Sequence, residues 1–191
     1  MPADGLPPSQ PAHPHPPSHA PVDHPPRPPA QPVRLVPVDR THRAVLQNLG
    51  QLYWHDLSGP YGHLPNADGT FNNRRLDLFL AEADPRVRAW LITAAGGLGG
   101  FVMTAPYEDG TSIHDFFVVR ALRRTGVGRE AARQVIAMFP GRWSIAFQAY
   151  NPGVQRFWSQ VATDAVGDRW RTHDGPPPPN RPPDTWITFQ T

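Results

Sequence analysis

The chain has 191 residues, 18 basic side chains that are all arginine, 16 acidic side chains, a net charge of +2 and no cysteine. Without cysteine there are no disulfides, no thiolate zinc site and no cysteine nucleophile; without lysine there is no Schiff-base lysine and no Walker lysine. So mild a net charge gives only weak salt-dependent attraction to a nucleic acid, and no apolar run approaches the ~20 residues of a membrane span.

Met1 to Pro32 holds 13 of the 26 prolines and four histidines, with very few large apolar residues. Such a segment cannot bury enough surface to offset the entropy of ordering. A disordered, partly polyproline II tail is expected over 1–32, and a folded domain over 33–191. The tail lacks the continuous apolar segment of an export signal, so cytoplasm is the expected compartment. Its histidines (His13, His15, His19, His24) are spaced irregularly among prolines, which favours solvated low complexity over a metal site.

Val33 to Val38 alternates apolar and polar residues and reads as a strand. Asp39 or Thr41 can cap the helix that follows, in which Val45, Leu46, Leu49, Leu52 and Tyr53 recur at helical spacing. That helix ends in Tyr53-Trp54-His55-Asp56-Leu57-Ser58-Gly59-Pro60. This cluster is either a substrate wall or a packed aromatic end. Pro65-Asn66-Ala67-Asp68-Gly69 is turn chemistry, and its ligand spacing is incomplete for a calcium loop. Asn72 to Ala81 is a short helix or an irregular connection. Val87 to Ala94 and Leu98 to Thr104 are strands joined through Ala95-Gly96-Gly97 in a hairpin. Gly97-Leu98-Gly99-Gly100 looks like a phosphate loop but opens a strand, so no helix dipole backs it. Tyr107-Glu108-Asp109-Gly110 is the next turn, and Ser112 to Val119 the next strand.

Basic residues and Gly126-x-Gly128 then lead into an amphipathic helix ending near Phe139. Strand, Gly-x-Gly turn and helix can hold phosphate, because glycines admit an anion to the backbone N–H groups and the helix N-terminus adds partial positive charge. The alternative is a tight turn with a basic rim. Pro140-Gly141 breaks the chain, and Trp143 to Tyr150 is a strand. Asn151-Pro152 caps a helix carrying Val154, Phe157, Trp158 and Val161 on its apolar side. Ala165 to Arg171 reads as a strand, His173 to Asp184 as a proline-rich loop, and Trp186 to Phe189 as a last strand paired inside the sheet. The order is β-α-(α)-β-β-β-α-β-α-β-β, and its hairpins imply a mixed sheet. Asp115 stands out, since an acid in the apolar run from Ile113 to Val119 is costly unless paired or functional. By the period of two, His114 is expected on the opposite face.

The motif Arg123-x-x-Gly126-x-Gly128, the element order, and Asn151 followed by Val154 and Trp158 together resemble the GNAT N-acetyltransferase superfamily over 33–191. The resemblance implies an α/β (α+β) fold with a mixed, mostly antiparallel sheet flanked by helices, whose splayed fourth and fifth strands hold acetyl-CoA as cosubstrate, with no metal. It implies that the N–H groups of Arg124, Thr125, Gly126, Val127, Gly128 and Arg129 ring the pyrophosphate, with added charge from Arg123, Arg124 and Arg129. It implies that Phe117, Val118 and Val119 pair with the pantetheine arm, that an N–H near Val118 polarises the thioester carbonyl, and that Asn151 holds the arm.

The reaction implied is direct acetyl transfer to a primary amine with a carboxylate base, Asp115; a structural ion pair is the alternative role for that residue, and His55 is the second candidate base. Tyr53, His55, Asp56 and the 60–73 segment are the expected amine wall. Trp158 departs from the family, standing where a tyrosine often protonates the leaving thiolate, and Tyr150 precedes that helix. The departure motivates an alternative, a non-catalytic acyl-CoA-binding module of the same fold. Five arginines between Arg120 and Arg133 motivate nucleic-acid binding, but they open one helix instead of covering a surface. The expected partner is a small-molecule or peptide amine, with no nucleic acid and no membrane, and a homodimer is compatible with the sequence.

Overall fold

Two-residue alternation in the central strands decides which helix each sheet face meets. In β2 (Arg88–Ala94), β3 (Gly97–Tyr107) and β4 (Gly110–Val118), Trp90, Ile92, Val102, Ile113 and Val118 belong to one buried cluster, and Ala89, Leu91, Phe101, Met103 and Phe117 to another. The first packs beneath α2 (Val127–Met138) and α3 (Pro152–Val166) through Ala131, Val135, Trp158, Val161 and Val166. The second packs beneath α1 (Arg43–Tyr61) through Leu46 and Leu49, joined by Leu76 and Phe79. Each fully buried leucine, isoleucine or phenylalanine contributes about 1.5–3 kcal/mol, so both layers are needed.

This computed structural model describes residues 32–73, 76, 79, 84–148, 151–176 and 183–191. The expected tail, the reading of Tyr150, most of the Asn72–Ala81 stretch and part of the His173–Asp184 loop lie outside the described residues. The sheet order is β1-β2-β3-β4-β5-β7-β6, where β1 is Arg34–Pro37, β5 Arg142–Gln148, β6 Trp170–Asp174 and β7 Asp184–Gln190. All neighbours are antiparallel except β4 and β5, which α2 connects. The mixed, mostly antiparallel sheet is the one expected, and β7 lies inside it.

Several boundaries move. Asp39 caps a 3-10 turn (Arg40–His42) that leads into α1, and its side chain accepts from the Thr41 N–H at 2.8 Å. The strand expected over Ala165 to Arg171 is instead the end of α3 and a turn. Trp158, Val161, Ala162 and Val166 continue one buried helical stripe, Gly167 at φ +68° ends it, and β6 begins only at Trp170. The turn at 66–70 closes on itself: Gly69 N–H donates to Asn66 O, and Asp68 Oδ1 accepts from Thr70 N–H at 3.0 Å.

Candidate functional site

The turn before α2 is held in an anion-ready shape. Arg124 at φ +62° and Gly126 at φ +92° both lie in the left-handed region, and a Cβ built on Gly126 meets nothing within 4 Å. Thr125 Oγ1 donates to Leu122 O at 2.7 Å and tightens the turn. The first backbone bond into α2 is Glu130 N–H to Gly126 O, at 3.0 Å. No side chain caps the helix, so the consecutive N–H groups from Arg124 to Arg129 have no acceptor among the described residues. Gly128 packs closely, with a built Cβ 3.4 Å from the Phe157 ring.

The strand leading into this turn has an open edge. β4 and β5 pair only at Thr111/Trp143, Ser112/Ser144 and Ile113/Ile145. Past that point β4 runs on to Val118 and β5 to Gln148, and the two separate. Val119 N–H donates to Gly99 O at 2.9 Å. Backbone groups alternate between the two edges of a strand, so those of Phe116 and Val118 face the gap. This corrects the expected rail. Phe117 and Val119 turn their backbone toward β3, where Phe117 O sits so near Gly100 that a Cβ there would lie 1.9 Å away. Val118 alone of the three faces the opening. Its carbonyl accepts from Arg123 Nε at 2.8 Å, and its N–H remains.

At the fork of β4 and β5 a buried carboxylate is fixed by two neighbours. Asp115 is 4% exposed. Its Oδ1 accepts from the Tyr53 hydroxyl at 2.8 Å, and its Oδ2 lies 3.0 Å from His114 Nδ1. Adjacent residues of a regular strand could not meet this way. The register passes from Met103/Asp115 directly to Thr104/Ile113, leaving His114 as the extra residue of a β-bulge. The bulge overturns the expectation that His114 faces away: its ring meets Phe79 edge-on at 5.4 Å, in the same layer as Phe117.

A cleft of about 540 Å³ opens over this carboxylate. β4 contributes Ser112 to Phe116, β5 contributes Ala146 to Gln148, and α3 contributes Val154 and Trp158. Tyr53, Trp54, Leu57, Tyr61 and His63 line the α1 side, and Tyr107, Asp184 and Trp186 the far end. Tyr107 and Trp186 stack at 4.5 Å, and Tyr61 on His63 at 5.5 Å. Among the described residues no group of three or more histidine, aspartate and glutamate side chains is arranged to hold a metal ion. Among them, too, no helix is long and apolar enough to cross a membrane.

The sequence of residues 46–162 matches the family model of the acetyltransferase (GNAT) family. The chain belongs to the GNAT acetyltransferase family. Comparison with curated proteins gives no match. Among solved structures, the chain is similar to an acetyltransferase from Thermus thermophilus (TM-score 0.61, 19% identity, 83% of this chain and 97% of that one). It is also similar to a probable GNAT-family acetyltransferase from Chromobacterium violaceum (TM-score 0.56, 22% identity, 95% and 97%). A third is the aminoglycoside N(6')acetyltransferase of Legionella pneumophila (TM-score 0.59, 12% identity, 83% and 91%). At these identities the likeness is one of fold.

Within this GNAT acetyltransferase the expected site residues separate into two groups. Tyr53 and Asp115 meet in the cleft. His55 does not enter it: its ring lies 6.5 Å from Phe71 on the outer side of α1. Asp56 lies toward the turn before α2, where it accepts from Arg120 Nε at 3.1 Å and from Arg123. Burial pushes the Asp56 carboxyl up, but hydrogen bonds from Arg123 and Arg120 outweigh this, and the net direction is down. Arg129 is likewise engaged, with Asp164 of α3. Of the three arginines expected to serve phosphate, only Arg124 has no carboxylate partner among the described residues. Asn151 Oδ1 accepts from Val154 N–H at 3.3 Å, as a helix cap. Trp158, 5% exposed, packs against Phe116 at 5.2 Å and lines the cleft. Sequence reasoning missed Tyr107, Asp184 and Trp186, which come together only through sheet order, and His114, whose bulge leaves no mark in the apolar pattern.

Proposed function

We propose that this chain moves an acetyl group from acetyl-CoA to a primary amine of a small molecule or peptide, by direct attack of the amine, with Asp115 as the basic centre of the site. The observation that carries the reading is the unpartnered N–H row from Arg124 to Arg129, continuous with the open β4 edge at Phe116 and Val118. Acetyl-CoA presents a pyrophosphate and an amide-bearing arm, and these two features match it in that order. Helix-terminal N–H groups and the α2 dipole take the pyrophosphate, and Arg124 adds charge. The Val118 N–H is the donor available to the thioester carbonyl, and Asn151 holds the arm beside its capping role. Tyr53, Trp54, Tyr61 and His63 form the amine wall.

Calorimetric titration with acetyl-CoA tests this. Wild type binds, and Gly126→Trp, whose side chain enters open space over the seat, does not. Absence of binding to the wild type would refute the reading. The second reading, a binding module without turnover, is favoured by Trp158, which cannot donate a proton as a tyrosine acid does. It predicts the same titration but no thiol release with any amine.

A further inference from the structure

We propose that Nε2 of His114 takes the proton from the amine, with Asp115 and Tyr53 as the groups that position it. This rests on the acetyltransferase reading and names the accepting atom within the Asp115 centre. Both Asp115 oxygens are engaged, one by Tyr53 and one by His114, and its side chain is only 3% exposed. An ionised carboxylate only accepts hydrogen bonds. In the proposed arrangement Asp115 accepts from both neighbours, so His114 Nδ1 carries the hydrogen that faces Oδ2, and the lone pair is left on Nε2. That atom has no partner among the described residues, and the His114 side chain is 33% exposed and lines the cleft.

Position supports the assignment. The last β4–β5 pair is Ile113/Ile145, and His114 is the next residue of β4, at the point where the strands part. The bulge turns the ring to the side of Asp115, and Phe79 meets it edge-on. A carboxylate fixing one imidazole nitrogen while the other faces the reactant is the arrangement that makes a directional base. The other ionisable groups facing the cleft are Tyr53 and Tyr61 on α1, His63 after it, Tyr107 on β3 and Asp184 on β7. His63 stacks on Tyr61 and has no carboxylate partner among the described residues.

The step balances. The substrate ammonium gives one proton to His114 Nε2, and its lone pair forms the C–N bond to the acetyl carbon. The C–S bond breaks with its electron pair on sulfur. The nitrogen sheds a second proton, which ends on that sulfur, and His114 returns its own proton to solvent.

Two measurements on the full chain decide the matter. Nitrogen-15 imidazole spectra, with His114 assigned by its loss in His114→Gln, should show the hydrogen on Nδ1 in the wild type. In Asp115→Asn that preference should be lost. Hydrogen on Nε2 in the wild type would overturn the proposal, whatever the substrate. Acetyl transfer is then followed over a panel of phenethylamine, tryptamine, spermidine and an alanine-ended peptide. On the fastest of these His114→Gln should lower kcat/KM by about 10²–10⁴-fold. It should also remove the acidic limb of the pH profile, with acetyl-CoA affinity retained as the check on folding. His63→Gln should keep that limb whatever its rate. A His114→Gln enzyme within a few-fold of wild type, with the limb intact, would contradict the assignment. Loss of acetyl-CoA binding by the wild type would instead refute the acetyltransferase reading itself.

Discussion

Tyr53→Phe removes one hydroxyl and little else. The Tyr53 ring lies 5.6 Å from Phe101, 6.1 Å from Phe117 and 5.6 Å from Trp54, and a phenylalanine keeps all three contacts. The change deletes the 2.8 Å hydrogen bond to Asp115. A hydrogen bond to a charged group contributes about 1.5–3 kcal/mol, and a buried carboxylate oxygen cannot recruit bulk water in its place. At about 2–4 °C per kcal/mol for a chain of this size, the melting temperature should fall by roughly 3–12 °C. A double-mutant cycle of Tyr53→Phe with Asp115→Asn, read by thermal or urea unfolding, isolates the pair. The coupling should be about 1–3 kcal/mol. Losses that add within about 0.5 kcal/mol would mean that the two groups do not depend on each other, and the positioning argument would fail.

Gly100→Ala should destabilise the chain by about 3–5 kcal/mol, because its φ is +152° and its Cβ would sit 1.9 Å from Phe117 O. Gly126→Ala should cost only about 1–2 kcal/mol of backbone strain, and equal losses on denaturant unfolding would show that the β3–β4 approach is looser than described. Arg124→Ala should weaken acetyl-CoA about 10–100-fold by titration, while Arg129→Ala changes it far less; the reverse order would move the phosphate seat toward α3. Hydrogen bonds from Arg133 and then Gln134 lower the Glu130 carboxyl to about 2. A depressed folded value stabilises above the ordinary carboxylate range and is lost as pH falls through the folded value. Part of the decline in melting temperature between about pH 4.5 and pH 2 should therefore be absent in Glu130→Gln, and an unchanged slope would remove that pair from the acid response.

The turn before α2 and the start of α3 were legible because their signals are local. Gly126 and Gly128 announce a turn that a helix must follow, and Asn151-Pro152 announces a helix start. The central strands were legible as apolar runs bounded by turn residues, though not which face of each meets which helix. What stayed hidden depends on register. One extra residue in β4 turns His114 to the side of Asp115, and nothing in Ile113-His114-Asp115-Phe116 distinguishes that bulge from a regular strand. Asp56 read as part of an aromatic wall through its neighbours Trp54 and His55. One helical step of about 100° separates successive residues, and the arginines that Asp56 meets arrive from more than sixty residues away. The Ala165 to Arg171 strand failed for a similar reason: the helical stripe through Val161 and Val166 outlasts the sequence signal, and only Gly167 ends it.

As proposed, the N–H row, the open β4 edge and the cleft over Asp115 form one acetyl-transfer site. Release of free thiol from saturating acetyl-CoA, measured with and without the amine panel, tests this most directly. Release should depend on the amine, disappear in Gly126→Trp and drop sharply in Asp115→Asn. Release that ignores the amine, or that persists in Gly126→Trp, would contradict it.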